Sequence, residues 1–268
     1  MRPRTLLAVM AEIKLDLSDG IARVTLARPE VRNAFNAELI AQLYETFAEI
    51  TAADDIRAVV LAGEGPVFCG GADINWMAAS LDLEYEANVG DAERMSDMFR
   101  AIDNCPKPVV ARIHGAAFGG GAGLAAVCDI AIAADDAIFG FTEVKLGIIP
   151  AVISPFVLAK IGASHARALF LTGERFDARR AQAVALVHDV VPADGLDAAV
   201  DRCLGELRTA GPCAVAAAKL LVHRVLDNGY DDSRAITTSA IAQQRVSPEG
   251  QEGLRAFLER RRALFAGD

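Results

Sequence analysis

Near the start of the chain, apolar and polar residues alternate and then give way to helical spacing. In residues 13–17 and 21–26, apolar residues alternate with polar ones, which is typical of strands. Ser18-Asp19-Gly20 between them favours a turn, so a β-hairpin is predicted. Asn36 precedes a segment in which apolar residues recur at helical spacing, which predicts a helix capped by Asn36. The apolar face of that helix consists of Leu39, Ile40, Leu43, Phe47 and Ile50.

The middle of the chain alternates strand patterns with helix patterns. Residues 58–61 are a short apolar run that ends at a turn sequence, which is typical of a buried strand. Residues 108–113 precede a glycine-rich run and residues 129–133 follow it, and both predict further strands. Strands that alternate with helices predict an α/β fold.

The last third of the chain is different, because strand patterns are almost absent from it. Apolar spacing predicts helices there over residues 196–207, 213–226, 233–245 and 250–265. We therefore expect a core domain over residues 1–195, with residues 1–10 as a loose tail, and a helical region over residues 196–268. Met10, in the tail, is an alternative start of the chain.

Composition and charge limit the classes of function. Of the 268 residues 53% are hydrophobic, and 36 Asp and Glu against 27 Lys and Arg give a formal net charge of −9. This acidity argues against a nucleic-acid partner, since phosphate-binding surfaces carry a basic excess. No apolar run approaches the roughly 20 residues that span a bilayer. We therefore expect a cytoplasmic protein without a membrane partner.

The cysteines and histidines predict neither disulfides nor a metal site. The five cysteines are odd in number and widely spaced, which is typical of buried thiols in a reducing compartment. The four histidines show no paired ligand spacing such as His-Glu-x-x-His.

Two segments rich in small residues are candidates for holding a ligand close to the backbone. In residues 67–77, Asp73 can cap a helix and leave nearby N–H groups unpaired, although an ordinary surface turn fits the same residues. Residues 114–124 are rich in glycine and follow a predicted strand, so their amides are expected at a helix N-terminus, which favours negative charge. Without a Rossmann or P-loop pattern, this run predicts either close helix packing or a site for a carbonyl oxygen that gains charge.

A third segment, residues 139–150, places one carboxylate, Glu143, among apolar residues. Burial would raise the pKa of Glu143 and suit it to general acid–base chemistry near neutral pH. The alternative is an ordinary glutamate in the first turn of a helix, opposed by Lys145. The residues alone leave both interpretations open.

In this order and at these spacings, the segments resemble the enoyl-CoA hydratase/isomerase (crotonase) superfamily. The resemblance runs from Arg28-Pro29-Glu30-Val31-Arg32-Asn33-Ala34-Phe35 through residues 68–73, 115–129 and 143–150 to residues 252–261. It implies a spiral core of β–β–α turns and a helical C-terminal region that forms trimers, often stacked as hexamers. It also implies an acyl-CoA substrate and no separate cofactor, because coenzyme A enters as part of the substrate.

The resemblance also assigns roles to individual residues. It implies that the N–H groups of Ala72 and Gly120 bind the thioester oxygen and stabilise an enolate, each donor contributing about 3 kcal/mol in comparable sites. It further implies that Glu143 activates water and moves the proton, and that one of residues 260–262, all arginines, meets the CoA phosphates. The residues expected to bind the substrate are Arg28, Asn33, Ala34, Gly70, Gly71, Asp73, Ile74, Gly121, Gly123 and Ser154.

The chain departs from the family's hydratases at the first of their two glutamates, where it has Gly123. A single glutamate is also the pattern of enoyl-CoA isomerases. Residues 72–77 and 149–157, however, resemble bacterial methylglutaconyl-CoA and isohexenylglutaconyl-CoA hydratases, which act on branched substrates with a second carboxylate in leucine or acyclic terpene breakdown. In the space expected at Gly123, that carboxylate would position the water or a proton.

We therefore predict hydration of a branched, glutaconyl-type enoyl-CoA, with Glu143 as acid and base. The alternatives are a general enoyl-CoA hydratase of fatty-acid β-oxidation, an enoyl-CoA isomerase that uses the single glutamate, and a non-enzymatic acyl-CoA-binding protein. Acyl length and branching are expected to depend on residues 78–93.

Overall fold

The computed structural model describes residues 6–9, by their backbone, and residues 12–266. The strands in this part of the chain are β1 (Leu6–Val9), β2 (Ile13–Ser18), β3 (Ile21–Leu26), β4 (Ala58–Gly63), β5 (Val109–Ile113), β6 (Ala116–Phe118), β7 (Ile130–Ala134), β8 (Ile138–Gly140), β9 (Arg175–Asp177) and β10 (Asp189–Val191). The α-helices are α1 (Ala37–Ala52), α2 (Ile74–Ser80), α3 (Tyr85–Asp103), α4 (Gly120–Val127), α5 (Ser154–Thr172), α6 (Ala178–Ala183), α7 (Leu196–Thr209), α8 (Pro212–Leu226), α9 (Tyr230–Val246) and α10 (Pro248–Leu258).

The main sheet has seven strands in the order β1-β2-β3-β4-β5-β7-β10. The predicted hairpin is confirmed, since β2 pairs antiparallel with β3 through a turn in which Asp19 and Gly20 have φ of 50° and 74°. From β3 to β10 neighbouring strands are parallel, as an α/β fold requires. A second sheet, with the order β6-β8-β9, was not predicted, because strands of three residues are too short to show a pattern.

Helix α1 confirms both its predicted cap and its predicted apolar face. The side chain of Asn36 accepts a hydrogen bond from the N–H of Leu39 at 2.7 Å, which satisfies one of the amides left free at a helix start. The five apolar residues predicted for its inner face are at most 3% exposed and belong to the main hydrophobic core.

The chain divides into two compact units. One comprises the residues up to Cys105 together with Val109–Val200, and the other comprises Pro106–Pro108 and Asp201–Asp268. The predicted division at residue 195 stays a prediction. Four residues of the expected loose tail form β1, whereas residues 1–5 and Met10 lie outside the described residues.

The second unit contains α8, α9 and α10, in agreement with the predicted helices. The carboxylate of Glu249 accepts hydrogen bonds from the N–H groups of Cys213 and Ala214 at 2.9 and 2.7 Å, and so caps the start of α8. The prediction of buried thiols was wrong for Cys213, which is exposed, and for Cys203, which is half-buried.

The last helix is shorter than predicted, because it ends at Leu258 instead of residue 265. Arg260 has a φ of 53°, and the N–H of Arg261 turns back to donate to the carbonyl of Ala256 at 3.0 Å. The guanidinium of Arg261 lies 2.6 Å from the carboxylate of Glu252. One of the three arginines expected at the CoA phosphates is therefore already paired.

The loop after β3 is fastened to the loop after β4 by the buried side chain of Asn33. Its Oδ1 accepts a hydrogen bond from the N–H of Arg28 at 2.9 Å, and its Nδ2 donates to the carbonyls of Glu64 and Val67 at 2.8 and 2.9 Å. The φ of Asn33 is 55°, in the left-handed region that asparagine tolerates better than most residues. Asn33 therefore fixes the start of the segment that leads to residues 68–73.

We predict that Asn33→Asp lowers the free energy of unfolding by about 3 kcal/mol. The variant keeps the size of the side chain and its tolerance of positive φ but points an acceptor at two carbonyl oxygens. Asn104, which is exposed, provides the control, and Asn104→Asp is expected to cost less than about 1 kcal/mol. Urea unfolding measures both changes, and equal values would contradict the structural role of Asn33.

Candidate active site

A cavity of about 360 Å³ opens in the first unit, and four chain segments supply its wall. The wall residues fall within the ranges 70–80, 88–95, 118–120 and 142–153. Three of these ranges contain the small-residue and glutamate segments that the sequence singled out, so the structure brings the three candidate segments together.

Ala72 lies in this wall, and its backbone N–H is left unpaired by its neighbours. The N–H of Phe35 donates to the carbonyl of Gly71 at 2.7 Å, and the N–H of Asp73 donates to the carbonyl of Phe35 at 2.9 Å. In such a parallel bridge the residue between the two bonds, Ala72, directs its own N–H away from Phe35. Among the described residues, none accepts a hydrogen bond from that N–H.

Gly120 supplies a second N–H to the same wall. It is the first residue of α4, and the first N–H groups of a helix have no partner within the helix. The aligned peptide dipoles make this end of α4 favourable for negative charge. Gly120 is buried, so the N–H is shielded from bulk water, which strengthens its interaction with an anion.

One register of backbone pairing brings both N–H groups to the cavity. Cys69 and Ala117 form a parallel bridge, with N–H···O distances of 3.1 Å on both sides of Ala117. Ala72 follows Cys69 by three positions and Gly120 follows Ala117 by three. A shift of one segment against the other would therefore separate the two donors.

The close approach of these segments depends on glycine. A Cβ at Gly121 would lie 2.4 Å from the carbonyl oxygen of Cys69, and this distance is too short for any side chain at position 121. Gly71 has a φ of 99° and is one of the wall residues. Gly121, which was expected to bind substrate, instead packs α4 against the Cys69 segment and does not line the cavity.

Glu143 places a carboxylate in the cavity without a partner. Its Oε1 lies close to Gly119, the residue before the donor Gly120, because a Cβ built on Gly119 would be only 3.1 Å from it. Its Oε2 is buried and has no hydrogen-bond partner among the described residues. Burial raises the pKa of the Glu143 carboxyl above its ordinary value of 4.5, against a smaller opposing effect of its own backbone N–H. Glu143 does lie in the first turn of a short 3₁₀ helix, Glu143–Leu146, as the alternative interpretation expects, but its buried and unpartnered Oε2 favours the acid–base interpretation.

Two unpaired N–H donors and one carboxylate of raised pKa have a specific chemical capability. The donors can bind a carbonyl oxygen and stabilise negative charge that develops on it, and the carboxylate can take up and release a proton at a nearby atom. Among the described wall residues, Asp91 and Glu143 are the only charged side chains.

Arg28 and Asp73, both expected to bind substrate, bind each other instead. Their side chains are 3.0 Å apart, and the guanidinium also donates to the carbonyl of Ala34 and pairs with Glu12. Burial alone would raise the pKa of Asp73, but hydrogen bonds from the N–H of Asn75 and from Arg28 outweigh it and lower the pKa. These residues hold the Ala72 segment in place and do not line the cavity.

The remaining predicted substrate-binding residues divide into two groups. Gly70 and Gly71 lie in the cavity wall. Asn33 and Ala34 are buried, and the Ala34 carbonyl accepts a hydrogen bond from the Arg28 guanidinium. Ile74 is 78% exposed at the start of α2, and the hydroxyl of Ser154 donates to a backbone carbonyl at 2.7 Å. None of these four is a wall residue, so their role in binding substrate stays a prediction.

The space expected at Gly123 is filled. A Cβ at Gly123 would lie 2.4 Å from Cγ2 of Ile153 and 3.1 Å from Cζ of Phe99. Ile153 is 2% exposed and belongs to the hydrophobic core, so neither water nor a substrate carboxylate can use that position. The expected space beside Gly123 is therefore absent, and the role of Gly123 in substrate binding stays a prediction.

No individual residue of the cavity wall that α3 forms was predicted from the sequence. The face of α3 at Asn88, Asp91, Ala92 and Met95 lines the cavity. The signal was available, because these positions continue the helical spacing of the buried residues further along α3. Polar residues within the apolar stripe obscure this face in the sequence.

Other classes of site are absent from the part of the chain that the structure describes. No group of three or more His, Cys, Asp and Glu side chains there is placed to hold a metal ion. Of the helices described, none is long and apolar enough to cross a membrane.

Comparisons with known proteins agree with the fold. The family model described as enoyl-CoA hydratase/isomerase matches residues 16–268. Enoyl-CoA hydratase ACTT6 of Alternaria alternata is 34% identical over 239 residues, which cover 89% of this chain and 78% of that protein. Among solved structures, an enoyl-CoA hydratase from Shewanella pealeana is 37% identical with a TM-score of 0.91, over 94% of this chain and 95% of that chain. Pseudomonas aeruginosa AtuE is 36% identical with a TM-score of 0.92, over 96% of this chain and 100% of that chain.

These likenesses extend over nearly the whole chain and exceed what fold alone explains. The predicted crotonase-type architecture, an α/β core followed by C-terminal helices, is confirmed by the high TM-scores. The protein is an enzyme of the enoyl-CoA hydratase/isomerase family.

Proposed function

We propose that this protein adds water across the double bond of a 2-enoyl-CoA thioester. The observation that carries the proposal is a single cavity whose wall contains Ala72, Gly120 and Glu143, where the N–H groups of the first two and Oε2 of the third have no hydrogen-bond partner among the described residues. The relatives from Alternaria alternata and Shewanella pealeana, both named enoyl-CoA hydratases, support the same reaction.

In the proposed reaction, Ala72 and Gly120 donate hydrogen bonds to the thioester oxygen. Glu143 takes a proton from water while the water oxygen bonds to Cβ, and the electrons of the double bond move onto the thioester oxygen to form an enolate. Protonated Glu143 then gives its proton to Cα, and the thioester carbonyl is restored. Since this addition neither oxidises nor reduces the substrate, no cofactor is proposed beyond the CoA that the substrate carries.

The charged side chains in the cavity wall indicate whether the acyl group of the substrate carries a charge. Apart from Asp91 and Glu143, the described wall is uncharged and largely apolar, with Trp76, Met95 and Ile149 among its residues. A glutaconyl-type substrate would bring a second carboxylate beside two acidic side chains, and desolvating that carboxylate without a cation is costly. We therefore propose an uncharged acyl group, and the glutaconyl-type substrate stays a prediction from the resemblance.

Isomerisation is the second candidate function, because one specific observation favours it. Ile153 fills the position beside Gly123, so a single carboxylate reaches the reacting atoms, and one base is sufficient to move a proton between two carbons. Both reactions pass through an enolate held by the same N–H groups. They differ in whether water enters the product.

The assembly and location of the protein remain proposals as well. Large apolar side chains on the C-terminal helices, including Leu226, Phe257 and Leu258, are more than 70% exposed. Such exposure supports the homotrimer or hexamer that the resemblance implies, since large apolar side chains left in water are often buried in contacts between proteins. The cytoplasm is the location that we propose from the composition.

We expect trans-hex-2-enoyl-CoA to give a product heavier by one water, because the unpartnered Oε2 of Glu143 offers an acceptor for that water. Mass spectrometry of parallel reactions with hex-2-enoyl-CoA and hex-3-enoyl-CoA measures this. Conversion of hex-3-enoyl-CoA without a change in mass would establish the isomerase instead. No conversion of either compound would contradict both functions.

We predict that Glu143→Gln lowers kcat by on the order of a hundredfold or more, because the amide cannot take a proton from water. Binding of CoA is expected to stay within a few-fold of wild type. The same variant is expected to unfold at a higher temperature at neutral pH, since it removes a partly buried carboxylate without a partner. Glu49→Gln, at an exposed position on α1, is the control and leaves kcat unchanged. Near-normal turnover by Glu143→Gln would reject this role.

We predict that kcat/KM falls on acidification with a midpoint above 4.5, the ordinary pKa of a glutamate. Burial raises the pKa of Glu143, so the carboxylate that must accept the proton is lost at a higher pH than an exposed glutamate would lose it. Initial rates between about pH 5 and about pH 8 measure the midpoint, and circular dichroism checks that the protein stays folded. A constant rate across that range would contradict the assignment.

A further inference from the structure

The cavity wall formed by α3 carries an ion pair whose two members differ in exposure. Asp91 pairs with Arg94 one helical turn later, and the Asp91 side chain is 20% exposed whereas that of Arg94 is 63% exposed. Asp91 shares its helix face with Met98 and Ile102, which are both fully buried. The carboxylate therefore lies on the inner side of α3 and the guanidinium on the solvent side.

Asp91 is not accounted for by the proposed reaction. Glu143 provides the acid and base, and the N–H donors provide the charge stabilisation, whereas Asp91 lies on a different segment of the wall. No Lys or Arg is among the described residues that line the cavity. A negative group on the acyl chain would thus meet Asp91 from inside the cavity, with Arg94 behind it.

We propose that Asp91 is a specificity-determining residue that disfavours acyl groups carrying a second carboxylate. This proposal rests on the proposed function to the extent that the cavity holds the acyl group of an acyl-CoA. An acyl carboxylate in the cavity loses hydration and is repelled by Asp91 in a medium of low polarity. Arg94 offsets this repulsion only in part, because its exposed guanidinium is screened by water.

Removing the charge of Asp91 and removing the charge of Arg94 are expected to shift the electrostatic potential at the cavity wall in opposite directions. Asp91→Asn removes the inner negative charge and leaves Arg94 in place, so the local potential becomes more positive. Arg94→Gln removes the outer positive charge and leaves Asp91 unopposed, so the local potential becomes more negative. A role for the pair that is limited to helix stability would not produce shifts of opposite sign.

Isothermal titration calorimetry with two saturated acyl-CoA probes tests the proposal without depending on turnover. Hexanoyl-CoA and 5-carboxypentanoyl-CoA have acyl groups of equal length, and a carboxylate replaces the terminal methyl in the second. Both probes carry the same CoA, so the ratio of their Kd values reports on the acyl end alone. Wild type is expected to bind hexanoyl-CoA at least about tenfold more tightly.

Asp91→Asn is expected to reduce that ratio by about fivefold, and Arg94→Gln to increase it by about twofold or more. Asp97→Asn, which removes an exposed aspartate from the opposite face of α3, is the matched control and is expected to leave the ratio unchanged. Equal Kd values for the two probes in wild type would overturn the proposal. So would an unchanged ratio in Asp91→Asn, or shifts of the same sign in the two variants.

Different results would reject the role of Asp91 and the proposed hydration reaction. If neither hexenoyl-CoA isomer is converted but the Kd ratio shifts with opposite signs in the two variants, the reaction is wrong and the role of Asp91 stands. If hex-2-enoyl-CoA is hydrated but the ratio does not respond to Asp91→Asn, the reaction stands and the role of Asp91 is wrong.

Discussion

The candidate active site depends on one register of backbone pairing, the parallel bridge between Cys69 and Ala117. From this bridge the two segments run in the same direction, and each delivers a backbone N–H to the cavity three residues later, at Ala72 and Gly120. Backbone donors cannot rotate away as side chains do, so their preorganisation comes from the fold itself. The bridge in turn requires glycine at position 121, where a Cβ would lie 2.4 Å from a carbonyl oxygen.

The proposed chemistry follows from the hydrogen-bonding groups of the cavity wall that neighbouring residues leave without partners. Polar groups next to the site are satisfied, as in the Arg28–Asp73 pair, whereas the two N–H donors and Oε2 of Glu143 have no acceptor or donor among the described residues. Unpaired buried groups reduce stability, and their concentration in one cavity indicates that a ligand completes them. The raised pKa of Glu143 has the same origin, since burial without a partner penalises the charged form.

Local patterns predicted the fold well where they were long and regular. The cap of α1 at Asn36 and the β2–β3 hairpin are encoded by a few adjacent residues, so the sequence was sufficient for both. The packing of Ile153 against Gly123 joins residues thirty positions apart, and no local pattern reveals which side chain fills a gap. The same limit applies to Arg28 and Asp73, which the resemblance predicts as ligand contacts, because their mutual pairing exists only in the folded chain.

In the proposed reaction, the N–H groups of Ala72 and Gly120 jointly bind the thioester oxygen of an acyl-CoA. A crystal structure of the protein with hexanoyl-CoA tests this most directly, because the saturated acyl group binds but cannot accept water. We expect the thioester oxygen within hydrogen-bond distance of both nitrogens, with Cβ of the acyl group facing the Glu143 carboxylate. A thioester oxygen bound elsewhere, or in contact with only one of the two nitrogens, would contradict it.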